Sequence, residues 1–310
     1  MIMCCLFGMI DYGRSFSGKQ KTRMLSVLAR ACEARGTDAT GIAYIYNNKL
    51  RIYKRPLPAR RMRFRVPSDV PVVMGHTRLT TQGSAKKNYN NHPWSGCVGD
   101  GDFALAHNGV LYNDDFLRKT LQLPKTRIET DSYVAVQLLE QQEALTFSSL
   151  RYMAEKVEGS FCFSVLDGKD QLWLVKGDNP LCLYHYPKLG LYLYASTEEI
   201  LKNGISRMPI LLGKPERVPL EMGEILKIDQ QGYREIETFH ADHLRYRQRC
   251  FYWPSSWFQS TKQESVEDAY LDDLRTVAQC CGYEGTVVDT WLREGFTTDE
   301  IEEFLYCGEV

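Results

Sequence analysis

Cys4, close to the start of the chain, is the residue with the clearest potential for chemistry. If Met1-Ile2-Met3 is removed, Cys4 becomes the first residue, and its thiol gains a proton acceptor in its own α-amino group. A free α-amine has an ordinary pKa of about 7.7 to 8.0, which suits a general base at neutral pH. The alternative interpretation is that Cys4 and its neighbour are small hydrophobic residues buried in an apolar first strand.

Three further segments carry the glycines and polar side chains from which active sites are built. They are Arg35-Gly36-Thr37-Asp38-Ala39-Thr40-Gly41, Gly75-His76-Thr77-Arg78-Leu79-Thr80-Thr81-Gln82-Gly83 and His107-Asn108-Gly109. Together with Cys4-x-Leu6-Phe7-Gly8, and in this order, they resemble the signature blocks of class II glutamine amidotransferases, the N-terminal-nucleophile glutaminases. Asn91-His92-Pro93 and Thr130-Asp131 stand where that family has similar residues. The resemblance covers roughly residues 4–230.

The resemblance implies a four-layer α-β-β-α sandwich and a reaction that hydrolyses the glutamine side-chain amide to glutamate and ammonia. Cys4 is then the nucleophile that forms a γ-glutamyl thioester, with its own α-amine as the base. Asn108, through its side-chain amide, and Gly109, through its backbone N–H, are implied as the oxyanion hole. Glycine suits the second position, because a backbone without a Cβ can approach a substrate closely.

Recognition of free glutamine also needs groups for its carboxylate and its ammonium. By the resemblance, Arg78 binds the carboxylate, a task that suits a planar guanidinium, and Thr81 adds a hydroxyl contact. Asp131 binds the ammonium; the alternative is that it is the N-cap of a helix over residues 132–143. Arg35 and Asp38 are expected to support the loop around the nucleophile.

Three positions depart from the family pattern. Cys5, Leu79 and Gln82 stand where family members commonly have Gly, Trp and His. These changes affect the rim of the pocket, so a second interpretation is an amidohydrolase that acts on another γ-glutamyl or amide substrate. A third is a non-catalytic scaffold that binds a partner protein. The residues after position 240 are too few for a synthase domain, so the expected partner is a separate ammonia-accepting synthase.

Strand patterns occur in two runs on either side of a helical pair, and short hairpins join most of them, which favours an α+β fold with antiparallel sheets. Helices are expected at 20–35, 132–143 and 147–157, and a hairpin at 41–54 with its turn at Asn47-Asn48. The capping-box spacing in Ser196-Thr197-Glu198-Glu199 predicts a short helix. The remaining strands are expected at 72–76, 103–107, 161–166, 172–175, 181–186, 191–195, 225–228 and 233–239.

The charge distribution predicts three segments. The 310 residues have a formal net charge of −1, yet residues 262–310 contain thirteen Asp and Glu against three Lys and Arg. We expect an amidotransferase domain at 4–240, an aromatic and basic linker at 241–262, and an acidic helical tail at 263–310. The acidic tail argues against nucleic-acid binding.

The sequence also indicates the cellular compartment, the redox state of the cysteines and the absence of a cofactor. No apolar run reaches the length that crosses a membrane, so a cytoplasmic protein is expected. The ten cysteines form no C-x-x-C pair and are expected to be reduced thiols. His76, His92 and His107 belong to separate segments without the spacing of metal ligands, so neither a metal nor another cofactor is expected.

Overall fold

The structure, a computed structural model, describes residues 4–241, 244, 271, 274–275, 278–279, 283–284, 286–298, 301 and 305. The chain divides into two compact units, Met1–Tyr252 and Trp253–Val310. The expected division at residues 240 and 262 stays a prediction, because most of the linker lies outside the described residues.

A seven-stranded sheet has the first strand of the chain near its centre, and every pairing in it is antiparallel. Its strands in spatial order are β11 (Glu216–Val218), β9 (Cys182–Tyr186), β10 (Leu191–Ala195), β1 (Cys5–Asp11), β4 (Val72–Arg78), β2 (Ala39–Tyr46) and β3 (Lys49–Arg55). Asn47 and Asn48 have φ of 51° and 56° in the β2–β3 turn, which Asn tolerates better than most residues. The predicted hairpin is therefore confirmed.

A second sheet has six strands, and these too are all antiparallel. In spatial order they are β13 (Arg234–Thr238), β12 (Glu224–Ile228), β8 (Leu172–Lys176), β7 (Gly159–Asp167), β6 (Gly101–Leu111) and β5 (Trp94–Val98). The long pairing of β6 with β7 fixes the position of the His107-Asn108-Gly109 segment within this sheet.

Helices cover the outer faces of both sheets. They are α1 (Gly18–Ala31) and α5 (Glu198–Ser206) on the first sheet, and α3 (Tyr133–Glu140) and α4 (Phe147–Lys156) on the second. Side chains of β1 alternate accordingly: Phe7 and Met9 pack with the helices, whereas Leu6 and Ile10 pack in the core between the sheets. The predicted α+β fold, a four-layer α-β-β-α sandwich, is confirmed.

Several local features differ from the sequence prediction. Thr197 caps α5 by accepting a hydrogen bond from the Ile200 N–H at 3.3 Å, so the capping hydroxyl is not that of Ser196. Strands β5 and β11 and a short helix α2 (Asp114–Thr120) after β6 had no counterpart in the prediction. In the second unit, the structure describes helix α6 (Val287–Glu294). Across the described ranges, no helix is both long and apolar enough to cross a membrane.

A buried ion pair joins the end of β1 to α1. Lys21 Nζ lies 3.0 Å from Asp11 Oδ2, and both side chains are at most 1% exposed. The same ammonium donates to the carbonyl oxygens of Ser68 at 2.8 Å and Val70 at 2.7 Å. Because each partner compensates a charge that burial would otherwise penalise heavily, the pair stabilises this end of the first sheet only as a unit.

Candidate active site

Cys4 lies directly before β1 and is 8% exposed. Its Sγ donates to the Leu79 carbonyl at 3.4 Å, and Arg35 Nε donates to the Cys4 carbonyl at 3.0 Å. Burial raises the pKa of the thiol to about 11, the hydrogen bond to Leu79 and the charge of Arg78 lower it, and the charge of Asp131 raises it further. A thiol with this pKa is protonated at neutral pH, so it needs a base in order to act as a nucleophile.

Arg78, the last residue of β4, is buried and binds the loop that follows it. Its Nη1 donates to Asn91 Oδ1 at 2.8 Å, and its Nη2 donates to the carbonyl oxygens of Gln82 and Gly83. In this conformation the guanidinium therefore holds the loop over residues 79–83. A substrate carboxylate would share or replace these carbonyl acceptors, because Arg has five N–H donors in all.

Asn108 lies in β6 and is fully buried. Its Nδ2 donates to Ser196 Oγ at 3.3 Å, and its Oδ1 has no hydrogen-bond partner among the described residues. The same Ser196 hydroxyl accepts from the Leu6 N–H in β1 at 2.9 Å. One hydroxyl therefore joins the strand that follows Cys4 to the strand that carries Asn108.

Asp131 is buried between the end of β6 and the loop after β4. Its Oδ2 accepts from the Leu111 N–H at 2.6 Å, its Oδ1 accepts from Ser132 Oγ at 3.2 Å, and its own N–H donates to Gln82 Oε1 at 2.6 Å. The N-cap of α3 is Ser132, and α3 begins at Tyr133. The alternative interpretation of Asp131 as an N-cap is therefore wrong.

The other predicted residues differ in how close they lie to this buried cluster. Asp38 Oδ2 accepts from the Thr80 N–H at 2.7 Å, and the Asp38 N–H donates to the Arg78 carbonyl at 3.0 Å. Asp38 and Arg35 thus contact the backbone around the nucleophile, whereas Thr81 is exposed in the loop. The contact of Thr81 with a substrate carboxylate stays a prediction.

Three residues that organise the site were not assigned to it from the sequence. Ser196 was interpreted as part of a helix cap, Gln82 as a departure at the pocket rim, and Asn91 as one of the residues similar to those of the family. Ser196 hydrogen bonds with Leu6 and Asn108. Gln82 hydrogen bonds with Asp131, and Asn91 with Arg78, so all three residues join segments from different elements. The resemblance of Asn91-His92-Pro93 to the family was the signal that could have indicated Asn91.

Three buried histidines lie beside the cluster. The His76 and His92 ring centroids are 4.0 Å apart, and His76 Nε2 hydrogen bonds with the carbonyl oxygen of His107 at 2.9 Å. Burial lowers the pKa of His76 to about 3 and that of His107 to about 4, and it places the pKa of His92 well below its usual range. These rings are therefore neutral at pH 7, and in the part of the chain that the structure describes no group of three His, Cys, Asp or Glu could hold a metal ion.

Comparison with known proteins points to one family. The family described as "Glutamine amidotransferase domain" matches residues 76–203. Over 190 residues the chain is 30% identical to the glutamine–fructose-6-phosphate aminotransferase of Sulfurisphaera tokodaii and 32% identical to that of Staphylococcus aureus strain Mu50. The match spans 58% of this chain and 31% and 30% of those two proteins.

Residues 76–203 therefore match a glutamine amidotransferase domain. The recognition made from the sequence motifs is thereby confirmed. In fold, the amidotransferase domain is similar to the glutamine phosphoribosylpyrophosphate amidotransferase of B. subtilis, solved in complex with ADP and GMP, with a TM-score of 0.60 and 21% identity. That match covers 76% of this chain and 49% of the other, and it supports the four-layer fold.

Replacing Gly109 of the amidotransferase domain by alanine is expected to disrupt the site. Gly109 has φ of 146°, and a Cβ there would lie 1.8 Å from the Ser160 carbonyl oxygen. The strand must shift to relieve this contact, so we expect any amidase activity to fall at least about 100-fold and the free energy of unfolding to fall by about 1–3 kcal/mol. Gly101→Ala is the matched control, because Gly101 has φ of 143° in the same strand but nothing within 4 Å of the added Cβ. Equal losses of activity in both variants would refute a specific role of the backbone at Gly109.

The buried histidines predict acid sensitivity of the amidotransferase domain. The pKa of His92 is lowered by burial, so between the folded value and the ordinary value near 6.5 the unfolded chain binds more protons. Stability therefore falls as pH falls below about 6.5, and each such histidine contributes up to about 1.4 kcal/mol per pH unit. Urea unfolding at pH 7.5, 6.5 and 5.5 measures this slope. His92→Phe keeps an aromatic ring against Trp94 and is expected to reduce the slope; an unchanged slope in His92→Phe would contradict the prediction.

Proposed function

We propose that this chain hydrolyses the side-chain amide of glutamine to glutamate and ammonia, with Cys4 as the nucleophile. The observation that carries the proposal is the position of the buried Cys4 thiol, on which the charges of Arg78 and Asp131 both act. Asn108, the proposed oxyanion donor, is joined through Ser196 to the strand that begins after Cys4. The proposal therefore draws its nucleophile, cation, anion and amide donor from separate segments that these interactions link.

The first step of the proposed reaction is proton transfer from the thiol. Because burial raises the pKa of Cys4 to about 11, little thiolate is present before substrate binds, and a base must take the proton as the sulfur attacks. The α-amine of Cys4 fills this role when it is free. Arg35 contributes indirectly, since its hydrogen bond to the Cys4 carbonyl at 3.0 Å restrains the residue that carries both the thiol and the α-amine.

Attack by Sγ on the amide carbon forms a tetrahedral intermediate with negative charge on oxygen. Asn108 Nδ2 has two N–H donors, one directed to Ser196 Oγ, so the second can stabilise the oxyanion together with the Gly109 N–H. The α-ammonium then protonates the leaving nitrogen, ammonia departs, and a γ-glutamyl thioester remains. Water hydrolyses the thioester to glutamate and regenerates the Cys4 thiol.

Arg78 and Asp131 are proposed to select the amino-acid end of glutamine. The guanidinium binds the α-carboxylate and the Asp131 carboxylate binds the α-ammonium, so the distance between these charges positions the amide against Cys4. Both residues also bind Gln82: the Arg78 guanidinium donates to its carbonyl oxygen, and the Asp131 backbone N–H donates to its Oε1. Substrate binding and the conformation of this loop are therefore linked in the proposal.

Two conditions complete the proposed function. The peptide bond between Met3 and Cys4 must be cleaved, because an amide nitrogen cannot accept the thiol proton. The released ammonia is passed to an acceptor enzyme that acts together with this chain. The support for ammonia transfer is the similarity over 190 residues to relatives that are named aminotransferases.

A substrate panel tests the proposed reaction. We expect release of glutamate and ammonia in equal amounts from L-glutamine, with much lower rates from L-asparagine and from γ-glutamyl anilides. Arg78→Lys is expected to raise KM for glutamine at least about tenfold, because a point charge replaces a bidentate contact. A γ-glutamyl anilide cleaved faster than glutamine would instead indicate an amidohydrolase of different specificity, and no turnover of any amide by protein that begins at Cys4 would refute the proposal.

A further inference from the structure

A concave site opens at the side of the sandwich where β3 and β5 are the edge strands. The cavity has a volume of about 680 Å³, which is within the range of small-molecule sites. Three of the eleven residues that line it are the cations Lys54, Arg55 and Arg127, and none of the eleven is acidic. The nearest sequence neighbour with a carboxylate, Glu129, is already bound by Lys87 and Asn90.

Aromatic rings form another part of the lining. Trp94 and Tyr133 meet edge to face with their ring centroids 5.8 Å apart. The Arg127 guanidinium lies 4.9 Å from the Tyr89 ring centroid, and Lys54 Nζ lies 6.0 Å from the Trp94 ring centroid. Cationic groups and flat apolar surfaces are therefore interleaved within a single cavity.

Lys54 is the cation set deepest in this wall. Its ammonium donates to the carbonyl oxygens of Asn91 and Pro93, which leaves one of its three N–H donors. Burial, together with the charge of Arg78, lowers the pKa of Lys54 to about 8. No carboxylate of the described residues forms an ion pair with the Lys54 ammonium, and an anion in the cavity would supply a compensating charge.

The cavity is adjacent to the proposed glutaminase site and separate from it. Asn91 stands between the two: its backbone carbonyl binds Lys54, and its Oδ1 binds Arg78 at 2.8 Å. None of the residues assigned to glutamine hydrolysis lines the cavity. A ligand can therefore bind here without contact to Cys4.

We propose that this cavity binds a small aromatic anion, with its ring against the half-buried Tyr89 and Tyr133 and its charged group on the cations. Aromatic pairs contribute beyond the apolar area that they bury, and Arg binds phosphate or carboxylate with two parallel N–H donors. The two anionic groups share this chemistry, so the ring and the negative charge define the ligand class. Binding requires both parts of the ligand, and it does not depend on the proposed glutaminase activity.

Calorimetric titration of the full chain with four probes tests this site. 1-Naphthyl phosphate and 1-naphthoate carry ring and charge, 1-naphthol carries the ring, and inorganic phosphate carries the charge. We expect at least one of the first two to bind with a Kd below about 1 mM, and the tighter of them identifies the preferred anion. 1-Naphthol and inorganic phosphate are expected to bind at least about tenfold more weakly.

Single substitutions test whether the probe binds in this cavity. Arg127→Gln and Arg55→Gln change exposed side chains and are each expected to weaken binding of the tighter probe about tenfold. Arg23→Gln makes the same charge change on the exposed side of α1, and Cys4→Ala changes the other site; both are expected to leave the affinity unchanged. The proposal would be overturned if 1-naphthol bound as tightly as the aromatic anions, or if neither aromatic anion bound with a Kd below about 5 mM. It would also be overturned if Arg23→Gln weakened binding as much as the cavity variants do, or if Cys4→Ala weakened binding.

Discussion

Cys4→Ala is expected to lower kcat for glutamine hydrolysis at least about 10⁴-fold, since removal of a nucleophile eliminates the covalent route entirely. The fold should be retained, because the change removes a single sulfur atom from a residue that precedes β1. Release of glutamate under saturating glutamine is the measurement. Arg78, Asn108 and the rest of the site remain in place, so KM and ligand-induced stabilisation by glutamine should change far less than kcat.

The neighbouring thiol provides the matched control for this prediction. Cys5 is fully buried and packs with the helices on the outer face of β1, so Cys5→Ala removes the same atom one residue away. We expect this variant to keep activity within about tenfold of the unchanged chain. If Cys4→Ala and Cys5→Ala had equal activity, the nucleophile would have to be another residue.

Lys21→Met is expected to give the largest loss of stability among single changes outside the site, about 3–5 kcal/mol, because it leaves the buried Asp11 carboxylate without its cation. Asp11 would keep its hydrogen bonds from the Ser15 N–H at 2.9 Å and the Phe16 N–H at 3.3 Å, which do not neutralise the charge. Urea unfolding at pH 7 measures the effect. Lys202→Met removes the cation of an exposed pair with Glu198 and is the control, with a urea midpoint nearly unchanged.

A double change separates the two explanations of such a loss. If the uncompensated charge is the cause, Asp11→Leu combined with Lys21→Met should be more stable than Lys21→Met alone, since no buried charge remains. If lost packing of the lysine stem is the cause, the double variant should be less stable than either single one. A loss below about 1 kcal/mol for Lys21→Met would contradict the assignment of a structural role to this pair.

Much of the fold follows from local sequence patterns. The turn at Asn47-Asn48 and the apolar stripe of α1 were predictable because turn chemistry and helical periodicity act within a few residues. Strand β5 and helix α2 were not predictable in this way. Cys97 and Ser95 alternate with buried residues over only five positions of β5, and Phe116 is 65% exposed in α2, so neither element presents a sustained pattern.

The candidate site shows the same difference between features that a short segment indicates and features that depend on distant segments. The roles proposed for Cys4, Arg78 and Asn108 came from the family resemblance of short sequence blocks, and the chemistry of each side chain is compatible with its proposed role. Their arrangement depends on contacts between distant segments, such as the Ser196 hydroxyl that binds Leu6 and Asn108. No periodicity encodes a hydrogen bond between residues 190 positions apart, and only the folded sandwich brings them together.

The most direct test of the central claim is covalent labelling by 6-diazo-5-oxo-L-norleucine, an electrophilic analogue of glutamine, on protein prepared with Cys4 as its first residue. Peptide mass spectrometry after the reaction locates the label. The account predicts one label per chain, on Cys4, with protection by L-glutamine and no labelling when Met3 remains attached. A label on another residue, or equal labelling of Cys4 with and without Met3, would contradict the claim that Cys4 and its own α-amine form the reacting pair.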